Sequence, residues 1–214
     1  MARYSLTLCA HSPPAILWHP AGRRSHRWYL VNWSVLCLMP TESRTKTYKG
    51  ATMQLLDFSD PGLSLRLAEQ ADDAFFQQLF AANHPYLEHC GLPEPMVRQL
   101  LQQQYQLQLQ SYLQQTPKPD TYLLLNCTEP VGRLMLARHV EYLHLTDLAF
   151  LPSHCGRGFG SKLIQALQQY ARRQQLALSL LVDQQNSGAY QFYLRHDFKS
   201  VAVTTSHYQL CWRS

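Results

Sequence analysis

The sequence has no two cysteines at C-x-x-C spacing, although six (Cys9, Cys37, Cys90, Cys127, Cys155 and Cys211) are spread through its 214 residues. A disulfide framework belongs to short secreted chains and a structural zinc site shows closely spaced ligands; neither pattern is present. The thiols therefore read as reduced and the chain as cytoplasmic. No run of about 18 consecutive apolar residues occurs, which argues against a membrane-spanning helix. Charge is also sparse: 15% of residues are Asp, Glu, Lys or Arg and 46% are hydrophobic, the balance of a folded chain rather than a disordered one. The length allows one ordinary domain plus an appendage. No internal repeat is found.

Acidic residues are scarcest at the start. Residues 1–52 carry Arg3, Arg23, Arg24, Arg27, Arg44, Lys46 and Lys49 against Glu42 alone. Residues 53–214 hold 12 basic and 13 acidic side chains, so the net charge of +5 belongs to the leader. A basic protein invites a nucleic-acid or anionic-membrane reading, but a nearly neutral body withdraws its main support. Neither partner is expected. The leader also holds Trp18, Trp28 and Trp33, three of the four tryptophans, and follows neither a helical nor a strand period. Arg23, Arg24 and Arg27 precede an apolar run over 28–39, as in a signal peptide, yet Asn32 breaks the run and no A-x-A site follows. A transit peptide would share the arginine bias but is usually amphipathic. Residues 1–52 are expected to be upstream or unstructured sequence, with the domain spanning 53–214.

From Met53 the pattern becomes regular. Residues 63–67 alternate like a strand, and 69–83 read as a helix with Phe75, Phe76, Leu79 and Phe80 inward. His84 and Pro85 end it. Val97, Leu101, Tyr105, Leu109 and Tyr112 or Leu113 recur at helical spacing over 95–115, a glutamine-rich stretch expected to serve as packing. Strands over 122–126, 131–137 and 142–150 predict an antiparallel meander. A glycine-rich loop at 156–160 opens a helix reaching about residue 175. A strand over 177–182, a short helix over 187–194 and two closing strands, 198–203 and 208–212, complete the chain.

The strand–loop–helix unit over 145–167 carries the most information. Gly156, Gly158 and Gly160 at a helix start let the backbone approach a ligand, and the free N–H groups and helix dipole favour an anion, typically phosphate. The pattern is no Walker A loop, since G-K-[ST] is missing, and no dinucleotide G-x-G-x-x-G. A G-x-S-x-G serine elbow is also absent. Residues 148–152 read L-A-F-L-P and 155–160 read C-G-R-G-F-G, followed by S-K-L-I. This resembles the acetyl-CoA signature of GNAT-superfamily acyltransferases, [RQ]-x-x-G-x-[GA] after a strand ending L-A-V-x-P. Residues 186–198 are similar to the family's second signature, N-x-x-A-x-x-[FL]-Y-x-x-x-G-F. Together the two cover about residues 143–200 in the family's order and spacing. Two departures stand out: Cys155 replaces Arg or Gln, and Asp197 replaces a Gly whose left-handed backbone Asp tolerates better than most residues.

The resemblance implies an α+β GNAT-like fold, with a central, mostly antiparallel sheet splayed after the fourth strand and flanked by helices. It implies an acetyl-CoA-dependent N-acetyltransferase that moves an acetyl group to an amine by direct attack in a ternary complex, with no metal. It implies that Cys155, Gly156, Arg157, Gly158, Phe159, Gly160 and Ser161 cradle the pyrophosphate, Lys162 adding charge. Leu148, Ala149 and Phe150 would pair with the pantetheine arm and Asn186 would lie near the coenzyme. Tyr193 would give its proton to the leaving sulfur. The base stays open between His144, Asp147 and water: His144 holds the family's frequent Glu/His position, and an imidazole titrating near neutrality suits the task. Alternation places His144, Thr146 and Leu148 on one strand face, and Leu145, Asp147 and Ala149 on the other. Cys155, at a helix start, is read as a side candidate for a reactive thiolate. His84, His89 and Cys90 match no metal-site spacing and are not assigned one. A homodimer is compatible with the resemblance, and the acceptor is open among small amines, amino acids and protein amines. The alternative is a catalytically silent acyl-CoA-binding sensor; a third reading, nucleic-acid binding, would reside in the leader.

Overall fold

The computed structural model describes Leu56, Phe58 and residues 61–88, 91–116 and 118–214. The leader, residues 1–52, and the boundary at Met53 lie outside the described residues. Strands β1 (Leu63–Leu67), β2 (Asp120–Asn126), β3 (Glu129–Arg138), β4 (Tyr142–Phe150), β5 (Ala177–Asp183), β6 (Lys199–Val203) and β7 (His207–Trp212) form one sheet. Its order is β1-β2-β3-β4-β5-β7-β6. Every neighbouring pair is antiparallel except β4 with β5. The fold is thus mixed α+β with an open, mostly antiparallel sheet.

The meander follows from tight turns. β2 and β3 are joined through Cys127, whose φ of 56 supplies the left-handed step that a two-residue hairpin needs. The β4–β5 pairing joins Tyr142–Leu145 to partners from Ala177 to Leu180 and stops there, although both strands run on. Past Leu145 the two strands diverge, and the β5-side edge of β4 is left without a strand partner.

Helices α4 (Phe159–Arg173) and α5 (Ser187–Arg195) cover one face, their Leu163, Ile164, Leu167 and Tyr193 packing with Leu145, Leu148 and Leu180. Helices α1 (Asp73–Asn83) and α3 (Glu94–Gln115) cover the other, where Phe76, Leu79, Phe80 and Tyr105 meet Leu123. A short α2 (Pro85–Glu88) follows His84. In α3, Tyr112 is fully buried and Leu113 exposed, which resolves the choice left open by the spacing. Asp197 has φ 61 and so takes the left-handed turn in glycine's place.

The strand faces of β4 need a correction. Its register to β3 slips at Thr146: Met135 faces Asp147 while Leu136 faces Leu145. This bulge resets the alternation. Leu145 and Leu148 therefore share the core under α4, and Ala149 packs with the cluster under α1 and α3.

Candidate active site

The loop before α4 is shaped by two glycines. Gly156 and Gly158 have φ of 76 and 83, and a Cβ added to either would meet nothing within 4 Å. Open space above a left-handed backbone is what a closely approaching ligand requires. The first backbone bond of α4 runs from the Lys162 N–H to the Gly158 carbonyl, and no side chain caps the helix. The N–H groups of the turn over 159–161 are therefore free of helical partners, and an anion would meet them together with the helix dipole. Ser161 Oγ lies 3.0 Å from His196 Nε2, so its side chain is held by the residue that follows α5. Lys162 Nζ sits over the Phe159 ring at 5.8 Å.

From this loop a cleft of about 260 Å³ runs along the end of β4 towards α1 and α3. Leu148, Ala149, Phe150, Cys155, Gly156, Gly158, Phe159, Gly160, Ser161 and Tyr193 all line it. Arg157 and Asn186 do not. Arg157 is an exposed loop residue. Asn186 caps α5, its Oδ1 accepting the Ala189 N–H at 3.0 Å. It also lines a smaller opening of about 30 Å³ in the fork between β4 and β5, with Thr146 and Tyr193. That opening is water-sized, and Thr146 Oγ1 lies buried without a partner among the described residues.

Tyr193 stands where both openings meet. Phe192 and Phe198 fix its ring at centroid distances of 5.1 and 5.4 Å. Burial, aided by the charge of Asp147, pushes its phenol above the usual tyrosine range, so it stays protonated.

Asp147 anchors the far end of the cleft. Its Oδ2 accepts from Arg133 Nε at 2.9 Å and Nη2 at 2.7 Å, and its Oδ1 accepts the Tyr112 hydroxyl at 3.0 Å. Both charged side chains are 4% exposed. Gln108 Oε1 accepts from Arg133 Nη2 at 3.3 Å. Helix α3, expected only to pack, therefore supplies two polar groups to the site. Neither Arg133 nor Gln108 carried a motif; a lone arginine inside an apolar strand was the one available signal.

Two of the weighed candidates lie in surroundings that do not favour the roles considered for them. His144 does not line the cleft, and burial together with the His139 charge pushes its imidazole down to about 4. A base that weak, off the cleft, is poorly suited to deprotonate an ammonium. Cys155 is no activated thiolate: burial pushes its thiol up, and Sγ donates to the Leu151 carbonyl at 3.5 Å. Of the weighed metal cluster, His89 and Cys90 lie outside the described residues.

His144 instead makes a prediction about stability. Its imidazole titrates at 6.5 when unfolded and at about 4 when folded, so between these values the unfolded chain holds a proton that the folded one refuses. Stability should fall as pH drops from about 6.5 towards 4. Melting curves across this window should show a smaller loss for His144→Gln; an equal loss would remove His144 as the cause.

No helix among the described residues is long and apolar enough to cross a membrane. The open sheet, forked beside a glycine loop at a helix start, is the fold of solved N-acetyltransferases. The PaiA N-acetyltransferase of Thermoplasma acidophilum in complex with coenzyme A superposes with TM-score 0.53 at 16% identity, over 71% of this chain and 99% of that one. A Salmonella typhimurium acetyltransferase that modifies the N-terminal serine of ribosomal protein L7/L12 gives 0.51 at 17%, over 72% and 96%. An acetyltransferase of Thermus thermophilus gives 0.50 at 22%, over 71% and 97%. At these identities the likeness is one of fold. No curated protein matches the sequence significantly. The chain belongs to the acetyltransferase (GNAT) family, whose model matches residues 75–198.

Proposed function

We propose that this protein transfers an acetyl group from acetyl-CoA to a primary amine by direct attack in a ternary complex. The observation that carries the reading is the continuity of one cleft, from the glycine loop past Tyr193 to the α1 wall. The loop residues Cys155, Gly156, Arg157, Gly158, Phe159, Gly160 and Ser161 hold the pyrophosphate, chiefly through backbone N–H groups. The unpaired edge of β4 at Leu148, Ala149 and Phe150 takes the pantetheine arm as a further strand would be taken. Asn186 fixes the start of α5 and so the placement of Tyr193.

Tyr193 donates its proton to the departing sulfur. Its hydroxyl has no hydrogen-bond partner among the described residues, so it is free to turn to a ligand. Asp147 has its oxygens committed to Arg133 and Tyr112 and acts as an orienting charge rather than as the base. The site asks for no metal, because backbone donors and Tyr193 cover the charge that develops.

The test is release of the coenzyme thiol from acetyl-CoA by the full chain, with and without primary amines. Amine-dependent release with a matching acetylated product is expected. Saturable acetyl-CoA binding with no release for any amine, including extract fractions, would instead identify a sensor.

A further inference from the structure

The wall of the cleft opposite the glycine loop has a chemistry of its own. Phe76, Leu79 and Phe80, at helical spacing on α1, present an apolar face to the cavity. The Phe80 ring stacks on His84 at 3.9 Å, and Tyr86, 59% exposed, meets His84 edge-on at 5.8 Å. An aromatic row thus runs from the floor of the cleft to solvent.

The lining offers no free carboxylate. Asp147 is the sole carboxylate among the described lining residues, and Arg133 and Tyr112 already occupy it. A ligand with a second positive centre finds no available counter-charge here, and an unpaired charge in a poorly solvated place is costly.

His84 is set up by its backbone contact. Nδ1 lies 2.6 Å from the Phe80 carbonyl, an acceptor only, so Nδ1 carries the hydrogen and Nε2 the lone pair. Nε2 has no hydrogen-bond partner among the described residues. Asn83 Nδ2 donates to the Phe150 carbonyl at 3.1 Å and to the Leu79 carbonyl at 2.9 Å, tying the last turn of α1 to the end of β4. His84 therefore stands beside the strand end that the acetyl-transfer reading gives to the thioester arm. The charged and titratable groups that line the cleft with it are Asp147 on β4, its partner Arg133 on β3, His154 and Cys155 in the loop after β4, and Tyr193 and Arg195 on α5, while Tyr86 on α2 meets its ring edge-on. Burial lowers its imidazole below the usual histidine range, the Phe80 carbonyl and then Asp147 partly opposing this, which favours the neutral ring.

We propose that the α1 wall is the acceptor subsite, that it takes a primary amine with a single positive charge on an aromatic or branched apolar body, and that His84 Nε2 removes the proton from that amine. The inference rests on the acetyl-transfer reading. His84 takes one proton from the ammonium, and the freed nitrogen lone pair forms the C–N bond on the acetyl carbonyl. As the C–S bond breaks, the sulfur takes the Tyr193 proton. Tyr193 recovers a proton from the acylated nitrogen, and His84 later returns its own to water. Ammonium and acetyl thioester thus become amide, thiol and one free proton.

The test compares 2-phenylethylamine, 3-methylbutylamine and spermidine as acceptors for the full chain with acetyl-CoA. At least about a tenfold higher kcat/KM for one of the monoamines than for spermidine is expected. Spermidine used equally well, or no monoamine turned over although acetyl-CoA saturates the protein, would overturn the acceptor assignment. Failure to bind acetyl-CoA at all would sink the acetyl-transfer reading itself.

For the base, His84→Gln should cut kcat at pH 7 by about 10²–10⁴-fold. Coenzyme affinity should stay unchanged, and the loss should shrink as rising pH deprotonates the amine itself. A variant whose pH profile parallels the wild type would reduce His84 to a positioning residue. Nitrogen NMR of the wild type provides an independent check: a neutral ring protonated at Nδ1 is expected, and one protonated at Nε2 contradicts the proposal.

Discussion

Tyr193→Phe should lower kcat by about 10²–10⁴-fold while coenzyme affinity hardly changes. The phenylalanine ring keeps the contacts to Phe192 and Phe198, so the substitution removes little beyond the proton donor. Burial and Asp147 hold the phenol above its usual range, so the wild type should show no descending limb from Tyr193 in the accessible alkaline range. Pre-steady-state rates, read where acetyl transfer limits turnover, separate this loss from slower product release. A variant with near-normal kcat under those conditions would take tyrosine out of the mechanism and leave water as the proton donor.

The second large effect concerns stability. Asp147→Asn should destabilise the fold by about 3–5 kcal/mol, because Arg133, 4% exposed, keeps its charge without the carboxylate that compensates it. Arg133 is already poorly satisfied, with Nη1 buried and unpartnered among the described residues and its guanidinium lying between the rings of Phe76, Tyr105 and Tyr112. The double variant Arg133→Met with Asp147→Leu should recover most of the loss, since paired removal leaves no uncompensated charge. Denaturant unfolding of both variants checks the pair. An Asp147→Asn protein as stable as the wild type would mean that the ion pair is wetter than its 4% exposure implies.

Much of the architecture could be read from residue periodicity. Strand alternation, the glycine loop and the second motif are local patterns, and they placed the meander, α4 and α5 close to where the structure has them. Loop glycines are legible because their backbone angles demand them. The register slip at Thr146 was not, since a bulge is decided by the partner strand, and it moved Leu148 to the face opposite the one alternation predicts. The acceptor end was hidden for a related reason. Arg133 and Asp147 lie 14 residues apart, and Tyr112 and Gln108 reach them from a helix whose composition marked it as filler. His84 looked like the end of a helix; only the fold sets it across the cleft from the glycine loop.

The claim on which the rest depends is that the loop before α4 holds acetyl-CoA. Calorimetric titration of acetyl-CoA into the full chain, paired with its thermal unfolding, tests it most directly. Saturable one-to-one binding is expected, with about 2.7 kcal/mol of added stability at ligand near 100 times Kd. Gly158→Val should still unfold cooperatively, at a lower Tm because a β-branched residue is strained at φ 83, and should bind far more weakly because its side chain would enter the open space above the loop. A wild-type protein that shows neither saturable heat nor a shift in Tm at millimolar acetyl-CoA would contradict the account.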